Sequence, residues 1–283
     1  MLKRKIFATL VISAFTANCF AQLSAVDYKS DDYARFKASK TYYVQTGDAK
    51  FDSEMAAAMK DLWKITPSDV LNDAAFKKKI SDKSSSFIVP ITIGPDSHGY
   101  HYLALFNGGE KKISNYVYDD MLAYCPINHW QNEMKHTDCS YRVRNMIESM
   151  IQAMELVQKN DIRGNSKKIV DGLQELYNAK TKNIKDRTLL FCEETLGKKL
   201  TKSDIAGIYP NKFEICDKAK IEQVIKEKST DYYYFQPTIT LNKSMFVFDP
   251  SNGEVVYFDY QMSGMSITKS NIEDLANAIK GKK

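Results

Sequence analysis

The residues best suited to chemistry are four histidines and four cysteines. His98-x-x-His101 brings two imidazoles into one short stretch, and His129 and His136 follow in the next loop. With Asp96 or Asp138 as an oxygen ligand they make a candidate zinc or nickel set, because those ions take neutral imidazole and carboxylate. No His-Glu-x-x-His is present, so no helix face presents the pair, and exposed loop histidines are the competing reading. Cys125 and Cys139 bracket His129 and His136, a spacing that offers a thiol and a base. A disulfide across the same loop competes with that reading, and a bridged sulfur is no nucleophile.

Cysteine number favours bridges. Cys125, Cys139, Cys192 and Cys216 form an even set once the first segment is set aside, and export favours their oxidation. Of three possible pairings, the local one is preferred: Cys125–Cys139 and Cys192–Cys216. Closing the loop between Cys125 and Cys139 is worth about 3 kcal/mol. A right-handed βαβ unit would set the strands carrying Cys192 and Cys216 side by side, within the Cα range of about 4.4–6.8 Å that a bridge needs. No Cys-x-x-Cys occurs, which argues against a thiol oxidoreductase.

Other stretches read as packing. Met146, Met150 and Met154 fall at helical spacing among isoleucines, so they suit a core better than copper. In Tyr232-Tyr233-Tyr234-Phe235 neighbours face opposite ways, so at most two rings share a surface. Gly-x-Ser-x-Gly, the phosphate-binding loop and the dinucleotide fingerprint are missing, and no cofactor is expected.

The elements behind these residues come twice. Lys83-Ser-Ser-Ser-Phe87-Ile-Val-Pro90-Ile-Thr92 returns as Lys228-Ser-Thr-Asp-Tyr232-Tyr-Tyr-Phe-Gln-Pro237-Thr-Ile-Thr240. Thr41–Val44 matches Thr188–Phe191 at an offset of 147, Tyr209 falls near Trp63, and Gly253-Glu254 answers Gly109-Glu110. Each copy reads strand, helix, strand, helix, two or three adjacent strands, helix. That order predicts an α/β fold of two tandem β-α-β-α-β-β-(β)-α repeats, each a mixed sheet flanked by helices. Asp52 is the expected cap of the first long helix, Asn72 or Asp73 and Asp217 cap the second helices, and Ser270-x-x-Glu273 caps the last. Asn107-Gly108-Gly109 predicts a hairpin into a strand at Ile113–Tyr118. Val143, Met146, Ile147, Met150, Ile151 and Met154 predict a helix. The expected divisions are a signal peptide at 1–21, a first repeat at 22–160, a linker and connecting helix at 161–185, and a second repeat at 186–283.

Lys3-Arg4-Lys5, an apolar run to Ala17 and Cys19-Phe20-Ala21 have the layout of an export signal cut after Ala21. Its loss removes three positive charges and takes the formal net charge from +5 to +2. That balance gives no electrostatic footprint for nucleic acid, and no later stretch approaches a membrane span.

The leader ending Cys19-Phe-Ala-Gln22, with Leu62-Trp63-Lys-Ile-Thr66 and Ser84-Ser-Ser-Phe87-Ile-Val, resembles uncharacterised exported proteins of Bacteroidetes type. The element order is also similar to a thioredoxin-like core and to the α/β domain of periplasmic assembly proteins of the curli-secretion and TolB N-terminal kind. Asp249-Pro-Ser-Asn-Gly-Glu-Val-Val-Tyr257 resembles the closing hairpin of the latter. These resemblances imply a periplasmic or secreted location and bring no catalytic residue. The expected function is a non-enzymatic binding or assembly protein of the envelope, with an unidentified protein or small-ligand partner. A metal-dependent or cysteine-based hydrolase using the His-rich loops is the alternative.

Overall fold

A computed structural model describes residues 30–93, 100–116, 120–127, 136–164, 166–196, 200–239, 243–261 and 266–282. The first unit runs α1 (Ser30–Lys37), β1 (Lys40–Val44), α2 (Ala49–Leu62), β2 (Ser68–Leu71), α3 (Asp73–Lys79), β3 (Ser85–Ile93), β4 (Tyr100–Asn107), β5 (Met121–Pro126) and α4 (Val143–Lys159). The second follows α5 (Ser166–Asn178) with β6 (Thr188–Cys192), α6 (Glu193–Leu196), α7 (Lys202–Ile208), β7 (Phe213–Cys216), α8 (Lys218–Lys226), β8 (Tyr232–Ile239), β9 (Lys243–Phe248), β10 (Val255–Gln261) and α9 (Lys269–Ile279). The two sheets have matching strand orders, β2-β1-β3-β4-β5 and β7-β6-β8-β9-β10. In each, the first three strands run parallel and the next two each pair antiparallel with their predecessor. The α/β duplication expected from the sequence is therefore present.

Strand pairing fixes the equivalence of the copies. Lys40 pairs with Ser85 as Thr188 pairs with Tyr232, and Val44 pairs with Leu71 as Cys192 pairs with Cys216. Lys40, not Thr41, corresponds to Thr188, so the offset of 147 is one residue short for this strand. In a sheet one residue exchanges the two faces. With the corrected register Tyr43, which reaches Asp52 of α2, corresponds to Phe191, which packs against Tyr209 at the end of α7. Trp63 and Tyr209 close α2 and α7 in the same way, each N–H reaching the carbonyl four residues back.

Local chemistry sets the boundaries. Asp48, rather than Asp52, caps α2, accepting from Lys50 N and Phe51 N at 3.1 Å each. Asp52 is buried in the first turn, where its carboxylate accepts from the Tyr43 hydroxyl at 2.6 Å and from Thr46 N and Gly47 N at 2.9 Å. It ties the end of β1 to the start of α2. Asn72 and Asp217 cap α3 and α8 as expected. The last helix starts instead from Thr268, whose backbone and hydroxyl are bound by Asn271. The strand expected at Ile113–Tyr118 is replaced by a 3-10 turn at Ile113–Asn115. Tyr116 folds back there, its hydroxyl donating to Asn107 O at 2.8 Å and its ring centred 4.1 Å from that of Phe106. The partner of β4 is β5, at the edge of the stretch that shows no period.

α4 is shared by both units. Val143, Met146, Ile147, Met150, Ala153, Met154 and Val157 are all buried. They belong to one core with Tyr43, Leu105 and Cys125 of the first sheet and Leu190, Tyr234, Phe246 and Phe258 of the second. A second core lies between the outer face of the second sheet and α7 and α9. Asn145 Oδ1 accepts from the Tyr234 hydroxyl at 3.0 Å, the Tyr141 hydroxyl donates to Gln236 Oε1 at 2.9 Å, and Gln152 Nε2 donates to Asn252 O at 2.9 Å. Among the described residues no helix is long and apolar enough to cross a membrane.

A shared core predicts shared unfolding. Met150→Ala should cost about 2–5 kcal/mol and lower one transition for the whole chain. Both tryptophans lie in the first unit, so their emission and the far-UV circular dichroism should fall together in urea. Two separated transitions would show that α4 does not join the units.

Candidate functional site

The four cysteines converge on the layer between the sheets. Cys125, Cys139 and Cys192 are buried in the shared core and Cys216 packs against it. The 3-10 turn His136–Arg142 carries Tyr141 and Arg142 into this layer. Both side chains are buried, and an Arg142 N–H donates to Ile127 O at 3.0 Å. Arg142 lies within electrostatic reach of Cys125 and Cys139, and Tyr141 within reach of Cys139, Cys192 and Glu194. The expected bridges are not formed: no disulfide joins Cys125, Cys139, Cys192 or Cys216 in this structure.

Three of the thiols, Cys125, Cys192 and Cys216, are shifted toward their neutral form. Burial pushes Cys125 up, against the opposing pull of Arg142. Burial, then a hydrogen bond from Cys192 Sγ to Glu194 Oε2 at 2.8 Å, raises Cys192 to about 12. Burial, with Glu214 and Asp217 nearby, raises Cys216 to about 12. A cysteine nucleophile needs the opposite shift.

Of the candidate metal ligands, His98, His129 and Asp96 lie outside the described residues. His101 sits on β4 opposite Thr92, and His136 and Asp138 fall in the 3-10 turn. Among the described residues no group of three or more His, Cys, Asp or Glu is placed to hold a metal. The tyrosine run divides between faces as alternation requires. Tyr233 lies under the Arg187 guanidinium at 4.6 Å, while Tyr234 enters the shared core.

The surface feature that sequence reasoning missed is a groove at the end of α2. It holds about 690 Å³ between Met59, Trp63, Ile65 and Val70, with Lys64 and Asp69 at its rim. Trp63 Nε1 donates to Thr66 Oγ1 at 2.9 Å, and Thr66, Thr41, Ser86 and Ser39 continue as a chain of buried hydroxyls. That chain fixes the indole as a wall. One side of the groove is β2, which among the described residues pairs with β1 alone and is the sheet edge. The second unit closes this place. Ser68 pairs with Thr41 where Phe213 pairs with Leu189, and the Phe213 ring stands edge-on to Phe191 and Tyr209 at 6.0 and 6.2 Å. Serine in place of phenylalanine leaves the groove open. The two copies, aligned in the correct register, contain that signal. A second groove of about 630 Å³ shares Lys64 and Ile65 and runs on to Tyr33 and Ile151.

The fold and these surfaces define a duplicated α/β protein with a thiol-lined inner layer and an open sheet edge. Compared with family models, curated proteins and solved structures, the chain has no match in any of the three.

The raised thiols give a reactivity prediction. In the folded, reduced chain at pH 8, Cys192 and Cys216 should alkylate at least tenfold more slowly than in urea, since a pKa near 12 leaves little thiolate. Mass spectrometry of iodoacetamide-labelled peptides reads this. Equal rates in both states would show that the inner layer is open to reagent.

Proposed function

We propose that this chain is an exported envelope protein that binds or assembles with a partner, without catalysing a reaction. We further propose that an extended segment of the partner lies along β2. The observation that carries the reading is the groove beside that edge. An edge strand presents N–H and C=O groups to a further strand, and added strands gain specificity from pockets for alternate side chains. Here the pocket has an indole wall, apolar neighbours and a charged rim. The export-type leader and the resemblance to Bacteroidetes-type exported proteins support the location.

Filling the groove tests the binding reading. Ser68→Phe copies the second unit and should weaken capture of an edge-binding peptide, selected from a displayed extended-peptide library, at least tenfold with no loss of thermal stability. Unchanged capture by that variant, or a library without binders, would overturn it.

Export also makes a redox statement. Cys192 and Cys216 are register partners on adjacent parallel strands, about one interstrand spacing of 4.8 Å apart at Cα, which is within bridging range. In an oxidising compartment we expect them to close, with Cys125–Cys139 as the other bridge. Closing the loop from Cys192 to Cys216 would add about 3.5 kcal/mol. Protein recovered from the periplasm should start at Gln22, weigh two hydrogens less per bridge before reduction, and map a bridge to Cys192 and Cys216. Four thiols all open to alkylation after unfolding would refute the expectation.

A further inference from the structure

Asn107 ends β4 and is 5% exposed. Its Nδ2 donates to Asp32 O at 2.8 Å, which fixes the amide, while its Oδ1 is buried and has no hydrogen-bond partner. A buried acceptor left unmade is costly and calls for an explanation. Asn107 lines a corner cavity of about 280 Å³ whose other lining residues include the acids Asp32, Glu110 and Asp120 and the bases Arg35 and Lys83. Acids outnumber bases there, and Arg35 is joined to Asp32 at 3.4 Å.

The second unit shows what occupies such a corner. Asn107 pairs with Ser86; Asp249 follows Phe248, the partner of Tyr234, and so takes the equivalent place opposite Tyr233. Asp249 Oδ2 accepts from Arg187 at 2.7 Å, and that guanidinium covers the Tyr233 ring. Arg187 directly precedes β6. Its counterpart before β1 is Ser39, which donates to Phe36 O and Ser86 Oγ instead. The first unit keeps a side-chain acceptor and has no arginine at the matching position. The turns differ as well. Carbonyls of Pro250 and Asn252 are bound by Asn145 and Gln152 of α4, whereas residues 110–114 are exposed.

We propose that the corner at Asn107 binds a guanidinium cation from outside the chain. Asn107 Oδ1 accepts one N–H, and Asp32, Glu110 and Asp120 supply the favourable potential. Guanidinium suits the place because its planar fork can reach an amide oxygen and a carboxylate together. The site lies apart from the groove at β2 and does not depend on it.

The test is an NMR titration of the ¹⁵N-labelled chain with methylguanidinium chloride, beside sodium and tetramethylammonium chlorides at equal ionic strength. A saturable shift of the Asn107 side-chain amide and the Gly108 and Gly109 amides with methylguanidinium alone is expected. A Gly-Arg-Gly tripeptide binding more tightly would support a partner protein's arginine as the source; weaker binding would support a free cation. Asn107→Asp, which copies Asp249, should tighten binding roughly threefold or more by adding charge to the hydrogen bond. Asn107→Leu should abolish it. Absence of a saturable shift, the same shift with sodium, or no gain in the aspartate variant would overturn the proposal and leave ordered water as the occupant.

Discussion

The structure depends on one helix being wanted by two sheets. α4 turns methionines and isoleucines toward both, and it also buries Asn145 and Ser149 within the shared core. Asn145 spends its whole amide there: its oxygen takes the Tyr234 hydroxyl and its nitrogen reaches Glu148 and Pro250 O. A polar group in such a place is tolerated only when bonded. The tyrosine of the second unit and the asparagine of the first therefore need each other. Neither sheet retains a complete core if the other is removed.

Within that constraint the copies have diverged in a consistent direction. The second unit fills its sites with its own side chains: Phe213 beside Tyr209, Arg187 against Asp249, and the 250–253 turn under α4. At the matching places the first unit has Ser68, Ser39 and a turn with exposed residues. A duplicated fold gives each copy an internal control, since the same backbone corner is seen with and without its occupant. The open corners of the first copy are the places where binding would cost little rearrangement.

Much of this fold was legible in the chain. The repeat showed in element order and in the shared proline, α4 showed in its three-and-four spacing, and the nearness of Cys192 and Cys216 followed from βαβ geometry. The failures have physical causes. Thr41 and Thr188 look alike, but hydrogen-bond register, not residue type, sets equivalence. β5 was missed because Met121-Leu-Ala-Tyr-Cys is buried on both faces and shows no alternation. Asp52 looked like a cap, yet Tyr43, far enough away to be invisible to local pattern, claimed it. The groove at Trp63 is made by the small size of Ser68, which no motif records. Sharing of α4 was hidden because its buried polar residues Asn145 and Ser149 resemble a solvated face in one dimension.

Pro90 and Pro237 hold the same position in the long strand of each copy, paired with Leu103 and Met245. Both lie beyond the last residues at which β3 and β8 pair with their parallel neighbours, Ile88 and Phe235. Beyond that point an ordinary residue would carry an N–H with no residue of β1 or β6 paired opposite it. Proline removes the donor. Each long strand thus leaves its parallel neighbour at a residue that carries no donor to be stranded, half-buried at Pro90 and buried at Pro237.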